Sequence, residues 1–340
     1  MIRARMYRPS DEADLVRLAS AAMPGWARLR YDYAAGYAAA EALKGACEIV
    51  VVEDGEGRIA GCGTRATRRL YLDGDPQDVG YLSGLRSFPG ARGGWGLFRG
   101  FRTIADLERA HPNALTFTTI LDDNPEARAL LTSGRTGLPK YCPHGRVVTY
   151  ALAPRLGAAP ERASLDELKE FYARESPRKQ LFPVFGETLP PGLPVDDFFV
   201  VRSGGRIAAA GAVWNHGDMR RIFVDGYMLR LRVLRPFLNV LFKVSRCPLL
   251  PSPGSEFACS YLSYALAEND DAALFAELVD AARRICRGRN LVFSLHSHDP
   301  LCRVADKFGG WRYRSDFLTV EFEGRARRLE GVPYIEAGAL

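Results

Sequence analysis

The chain has 340 residues, of which 47% are hydrophobic and 25% charged, and a formal net charge of +6. That balance excludes disordered, fibrous and low-complexity classes, and the length leads to an expectation of two domains. No apolar run reaches the ~20 residues of a membrane span, the arginines are spread rather than clustered with aromatics as nucleic-acid binding would need, and seven scattered cysteines without a C-x-x-C spacing fit a reducing compartment and no zinc site.

In chain order, Ser10 or Asp11 can cap a first helix. Residues 49–53 and 58–66, joined by Asp54-Gly55-Glu56-Gly57, carry a hairpin signature. Residues 81–87 combine the apolar and small residues of a buried strand, which Pro89 and Gly90 end. Ala91-Arg92-Gly93-Gly94-Trp95-Gly96 then leads into a helical spacing of Leu97, Phe101, Ile104 and Ala105. Glycines between a strand and a helix N-terminus let backbone N–H groups converge on one anion, and the helix dipole favours the same charge. Any turn that needs positive φ uses glycine too. The segment lacks the Gly-Lys-Ser/Thr ending of a nucleotide-hydrolase loop and the spacing of the dinucleotide fingerprint. It is a candidate phosphate cradle.

Residues 115–120 alternate β-branched and aromatic side chains as a strand does. Asp123-Asn124-Pro125-Glu126-Ala127 reads as a helix start with Asn124 at the N-cap and Pro125 at the first helical position, and Gly134 is its stop. Residues 147–152 are expected to close the sheet of this half. Residues 153–163, rich in Ala, Pro and Arg, read as a linker. Three short segments then recur in order: Gly57-Arg58-Ile59-Ala60 as Gly205-Arg206-Ile207-Ala208, Tyr81-Leu82-Ser83 as Tyr261-Leu262-Ser263, and Leu115-Thr116-Phe117-Thr118 as Leu291-Val292-Phe293-Ser294. Their shared order points to two tandem copies of one fold with an insertion near residues 229–254. The second copy continues Ala267-Glu268-Asn269-Asp270-Asp271, with no glycine and three carboxylates that oppose a bound anion. Asp270 and Asp271 suit a bare helix N-terminus there. The apolar but arginine-broken residues 229–250 are expected to pack on the second half or on a partner subunit, with a membrane-surface helix as the other reading. Cys142 near His144 invites a nucleophilic pair, and His296 with His298 a metal pair; a shared loop and a strand end account for them equally simply.

Residues 91–96 and Asn124 resemble two motifs of the GNAT N-acetyltransferases. That family's pyrophosphate loop reads Arg/Gln-x-x-Gly-x-Gly/Ala, and its coenzyme helix starts Asn-x-x-Ala-x-x-Leu. Gly94 and Gly96 match the loop, with Ala91 in the first position and Arg92 beside it; Asn124, Ala127 and Leu130 match the helix, where Leu131 replaces a frequent tyrosine acid. The resemblance covers about residues 1–152. It implies an α/β (α+β) fold class with two tandem GNAT-like domains, each a mixed, mostly antiparallel sheet flanked by helices and containing a splayed parallel strand pair. The units would be 1–152 with the acetyl-CoA site, a linker at 153–163, a degenerate copy at 164–325 and a tail at 326–340.

For function, the resemblance implies an acetyl group moved from acetyl-CoA to a small-molecule or peptide amine by direct attack. The pyrophosphate would lie on Arg92, Gly93, Gly94, Trp95, Gly96 and Leu97, the thioester along Leu85, Arg86 and Ser87, and the coenzyme arm against Asn124 and Ala127. Glu53, Tyr81 and Asp122 are the candidate bases and Tyr141 the candidate acid. Trp26, Tyr31, Tyr33 and Tyr37 would wall the acceptor or else belong to the core. No metal and no nucleic acid is expected; a cytoplasmic location and a homodimer are. Tandem copies with one degenerate site also resemble mycothiol synthases and the Fem-type aminoacyl-transferases, though the coenzyme loop speaks against the latter. The alternative is a non-catalytic acyl-CoA-binding sensor or assembly subunit, favoured by Ala91 and by the missing tyrosine.

Overall fold

The computed structural model describes residues 2–21, 25–88, 94–186, 189–322 and 328–340, with the side chains of Gly94 and Trp95 outside that description. The first half runs β1 (Arg3–Met6), α1 (Glu12–Ala19), β2 (Ala27–Asp32), α2 (Tyr37–Glu41), β3 (Ala46–Glu53), β4 (Ile59–Leu72), β5 (Asp75–Ser87), α3 (Gly94–Ala110), β6 (Leu115–Leu121), α4 (Pro125–Leu131) and β7 (Lys140–Leu152). The second half runs α5 (Leu165–Glu175), β8 (Phe198–Ser203), β9 (Arg206–Trp214), β10 (Arg221–Tyr227), α6 (Leu229–Val244), β11 (Ser255–Glu256), β12 (Cys259–Ala267), α7 (Ala272–Ile285), β13 (Asn290–His296), α8 (Cys302–Ala305) and β14 (Trp311–Glu321).

Among the described residues, eleven strands form one sheet in the order β1-β3-β4-β5-β6-β14-β7-β13-β12-β9-β8, and β11-β10-β2 form a smaller one. All neighbours in the large sheet are antiparallel except β5–β6 and β12–β13. This is the mixed, mostly antiparallel α/β architecture with a parallel pair in each half. One expectation is corrected. Residues 147–152 do not close the sheet beside β6, because β14 lies between β6 and β7, and β7 pairs on its other side with β13. Phe317 of β14 explains the preference: it is fully buried, with Phe117 stacked 5.1 Å away. The last strand of the chain thus fills the first half's sheet.

The helix α3 buries Phe101 and Ile104 against Val50 and Leu82. Its glycines permit a close approach: a Cβ on Gly96 would sit 3.3 Å from Val52 Cγ1, and one on Gly100 3.3 Å from Val52 Cγ2. Arg65, buried on β4, donates to Glu108 Oε2 at 2.7 Å and also binds Glu48 and the His111 carbonyl, tying the end of α3 to the sheet. Asp11 does not cap α1 with its side chain; it binds Arg5 at 2.7 Å and accepts from the Arg8 N–H at 2.7 Å.

Candidate active site

The strands β5 and β6 run parallel over Val79–Leu82 and Leu115–Thr118 and pair no further. At the parting point Thr118 Oγ1 donates to the Leu82 carbonyl at 2.7 Å. Two residues on, Gly84 adopts φ +64 and the β4–β5 register shifts between Cys62 and Thr64. Only glycine fits this bulge, since a Cβ would meet Tyr37 Oη at 2.8 Å and Thr64 Oγ1 at 3.1 Å. Past the bulge, Leu85 is 43% exposed and Ser87 is exposed as well. The strand-then-helix order expected around the cradle holds, with β5 ending at Ser87 and α3 starting at Gly94. Arg92 and Gly93 lie outside the described residues. Leu97 is half-buried against the core beneath α3. Asn124 caps α4, its Oδ1 accepting from the Ala127 N–H at 3.0 Å, with Pro125 in the first turn.

The four candidate acids and bases separate by environment. Tyr81 stands on the splayed pair itself, its hydroxyl 3.0 Å from Thr119 Oγ1 and its ring 4.9 Å from Phe117. Burial pushes its phenol up to about 12. Glu53 is bound by Arg5 at 2.6 Å. Asp122 pairs with Arg128 at 3.2 Å and Arg146 at 3.5 Å. Tyr141 lies in the apolar core with Phe101, Ile104, Ile120 and Leu318, where burial raises its phenol well above the ordinary value.

A buried ion pair behind the bulge has no strong sequence signature. Lys44 Nζ lies 2.6 Å from Glu41 Oε1 and 3.0 Å from Ser83 Oγ of β5, with side-chain exposures of 6% and 4% for the charged pair. Glu41 Oε2 has no partner among the described residues and lies 3.3 Å from where a Gly84 Cβ would be. The only hint was an i, i+3 pair of opposite charges in the alanine-rich stretch 34–46. Three of the tyrosines cluster, Tyr33 lying 6.3 Å from Tyr31 and 5.5 Å from Tyr37, and Tyr37 is buried in the core with Leu15, Leu18 and Val51. Arg220, from the other half, sits 5.2 Å over the Tyr31 ring and donates to the Leu340 carbonyl at 3.4 Å. Trp26 is elsewhere, edge-on to Trp311 at 6.3 Å.

The second half repeats the device with different chemistry. The strands β12 and β13 run parallel only over Cys259–Tyr261 and Asn290–Val292, and the β9 register shifts between Ser263 and Leu266. Tyr264 holds φ +52 there, the place Gly84 holds in the first half. Its backbone amide donates to Glu336 Oε2 at 3.1 Å, the Ala265 amide donates to Tyr334 Oη at 3.1 Å, and Tyr334 donates to Glu336 at 3.1 Å. The three carboxylates are all engaged: Glu268 with Arg206 at 2.8 Å, Asp270 with Lys179 at 2.7 Å, and Asp271 capping α7 through the Ala273 and Leu274 amides at 2.8 and 2.9 Å.

The side chains of both tempting clusters bond elsewhere, although the His296 and His298 rings do stand 5.1 Å apart, with the His298 N–H donating to His296 Nδ1 at 3.4 Å. Cys142 donates to Glu321 at 3.1 Å and its thiol is raised by burial first and that carboxylate second. His144 Nε2 lies 3.4 Å from the Gly331 carbonyl. His296 Nε2 is 2.7 Å from the His144 carbonyl. No group of three metal-ligating side chains occurs among the described residues.

The sequence matches no family model and no curated protein sequence. Solved structures do match in fold. Yeast (Saccharomyces cerevisiae) N-myristoyltransferase with bound myristoyl-CoA superposes with TM-score 0.59 at 13% identity, over 96% of this chain and 80% of that one. The GCN5-related glucosamine N-acetyltransferase region of a fungal multi-domain GH3 β-N-acetylglucosaminidase gives 0.61 at 13% identity, over 94% of this chain and 38% of that one. With its parallel strand pairs splayed from a mostly antiparallel sheet, the chain has the fold of the GCN5-related N-acetyltransferases.

Proposed function

We propose that the chain is an acyl-CoA-dependent N-acyltransferase that binds its coenzyme in the first half. The observation that carries this is the parting of β5 and β6 at Leu82 and Thr118 around the Gly84 bulge, with α3 following. The fold neighbours named for N-acetyl transfer and for myristoyl-CoA support the class. In this reading the thioester lies along Leu85, Arg86 and Ser87, where a strand N–H polarises its carbonyl. The pyrophosphate takes Arg92, Gly93, Gly94, Trp95 and Gly96, and Asn124 and Ala127 meet the coenzyme arm. An acceptor amine attacks the carbonyl carbon, the C–S bond breaks, and the amine's surplus proton ends on the departing thiolate. We assign the proton transfers to Tyr81 and to Glu41, whose Oε1 lies 2.6 Å from Lys44 Nζ. The acceptor, a small molecule or peptide amine, would lie against Tyr31, Tyr33 and Arg220. Since Tyr334 and Glu336 occupy the second cleft's amides, that half would shape the acceptor pocket and bind no coenzyme.

Acetyl-CoA and myristoyl-CoA titrations by calorimetry, on wild type and on Gly94→Asp, test the coenzyme site. One site per chain, lost in the variant while thermal stability holds, is the expected result. No binding of either thioester refutes it. The sensor reading draws on one observation, that Tyr141 is buried in apolar core and Leu131 has no hydroxyl. Thiol release that depends on an added amine excludes it.

A further inference from the structure

The helix α6 presents two apolar faces. Leu231, Leu238 and Phe242 pack inward on Ala27, Val224, Tyr227 and Leu250. Asn239 locks this orientation, donating to the Leu250 carbonyl at 3.0 Å and accepting from its N–H at 2.8 Å. The opposite face is therefore held outward. It carries Leu229, Val233, Phe237, Val240, Leu241 and Val244, spaced as one helical stripe and exposed by 59–78%. Trp26, 48% exposed, adjoins the start of the helix through its carbonyl, which accepts from the Met228 N–H at 3.1 Å. Contiguous apolar surface of this kind marks an interaction site.

Charge selects the occupant. Between Asp225 and Glu256 there is no acidic residue and there are five basic ones. Arg230, Arg232, Lys243 and Arg246 are all exposed around the stripe. A two-fold pairing of copies would set these cations against their own equivalents, which opposes association. A bilayer surface bearing anionic headgroups accepts both features at once: the apolar stripe enters the acyl boundary while the cations stay among the phosphates. We propose that α6 docks the protein on an anionic membrane surface, lying in its plane. No helix among the described residues is long and apolar enough to cross a membrane, so the contact is peripheral.

Flotation of the full chain with phosphatidylcholine vesicles, and with vesicles containing one-third phosphatidylglycerol, tests the proposal. The protein should float with the anionic vesicles, release as salt rises, and stay behind with the neutral ones. Phe237→Glu/Val240→Glu should abolish flotation; both positions are exposed, and an unchanged melting temperature verifies the fold. Neutralising Arg230, Arg232 and Lys243 to Gln should weaken partitioning about fivefold per charge. Absence of flotation, or flotation indifferent to lipid charge and to both sets of substitutions, overturns the proposal. So does a concentration-dependent dimer in light scattering that Phe237→Glu/Val240→Glu dissolves while wild type ignores vesicles, since the stripe then serves a second copy.

Discussion

Replacing Gly84 with alanine probes the bulge on which the coenzyme reading rests. Two costs arise there. A non-glycine residue at φ +64 pays roughly 1–2 kcal/mol for the left-handed conformation. Its Cβ would also lie 2.8 Å from Tyr37 Oη and 3.1 Å from Thr64 Oγ1, and overpacking a filled interior costs about 1–3 kcal/mol. The sum is about 2–5 kcal/mol. Gly57 supplies the control, since it has φ +81 with nothing within 4 Å of a Cβ. Gly57→Ala should therefore show the conformational term alone. At about 2.1 cal/mol/K of unfolding entropy per residue over 340 residues, 1 kcal/mol corresponds to about 1.4 °C. The melting temperature should fall by about 1–3 °C for Gly57→Ala and about 3–7 °C for Gly84→Ala. Differential scanning fluorimetry reads both, and acyl-CoA titration should show weaker binding for Gly84→Ala alone. Equal losses in the two variants would refute the argument that Gly84 is required for space as well as for φ. Tyr264 shows that this backbone tolerates a side chain when its surroundings are built for one.

Lys44→Met strands a carboxylate that is 4% exposed and should cost about 3–5 kcal/mol; adding Glu41→Gln should recover most of it in urea unfolding, and a double variant no more stable than the single one contradicts the pairing. Asn124→Ala removes a helix cap worth about 1 kcal/mol, and if Asn124 also meets the coenzyme, acyl-CoA affinity drops several-fold; unchanged affinity takes it out of the site. Burial raises the Glu336 carboxyl above its ordinary 4.5. The folded state then holds a proton that the unfolded state releases, so stability from this group is fully present below about pH 4.5 and declines as pH rises towards the folded value. Glu336→Gln should flatten that decline in melting curves taken from pH 4 to 8, and an unaltered slope would show that Glu336 does not cause it.

Much of the local structure was legible. Asn124-Pro125 announced its cap because the N-cap chemistry is contained in four residues, and the 54–57 turn and the β5–α3 junction had comparable local signals. What escaped depended on distant partners. Nothing beside Glu53 or Asp122 shows that Arg5, Arg128 and Arg146 neutralise them. Tyr141 alternates correctly for a strand, yet its burial follows from α3 and β14 covering it. Residues 334–339 looked like a tail, but Glu336 and Ala337 are buried and Tyr334 reaches the second cleft. Lys44 and Glu41 became visible as a unit only once Ser83 and Gly84 were folded over them.

The position of β14 has a consequence for biosynthesis. Until residues 315–319 have emerged, β6 has an unpaired edge facing solvent, although everything else in its half has already been translated. A nascent chain in that state presents a template for wrong strands, including those of a neighbouring copy. Closure of the first half then joins residues about 200 positions apart, a contact pattern that makes folding slow. The protein is accordingly a poor candidate for expression in pieces, and a premature stop anywhere before β14 should yield aggregate rather than a working fragment.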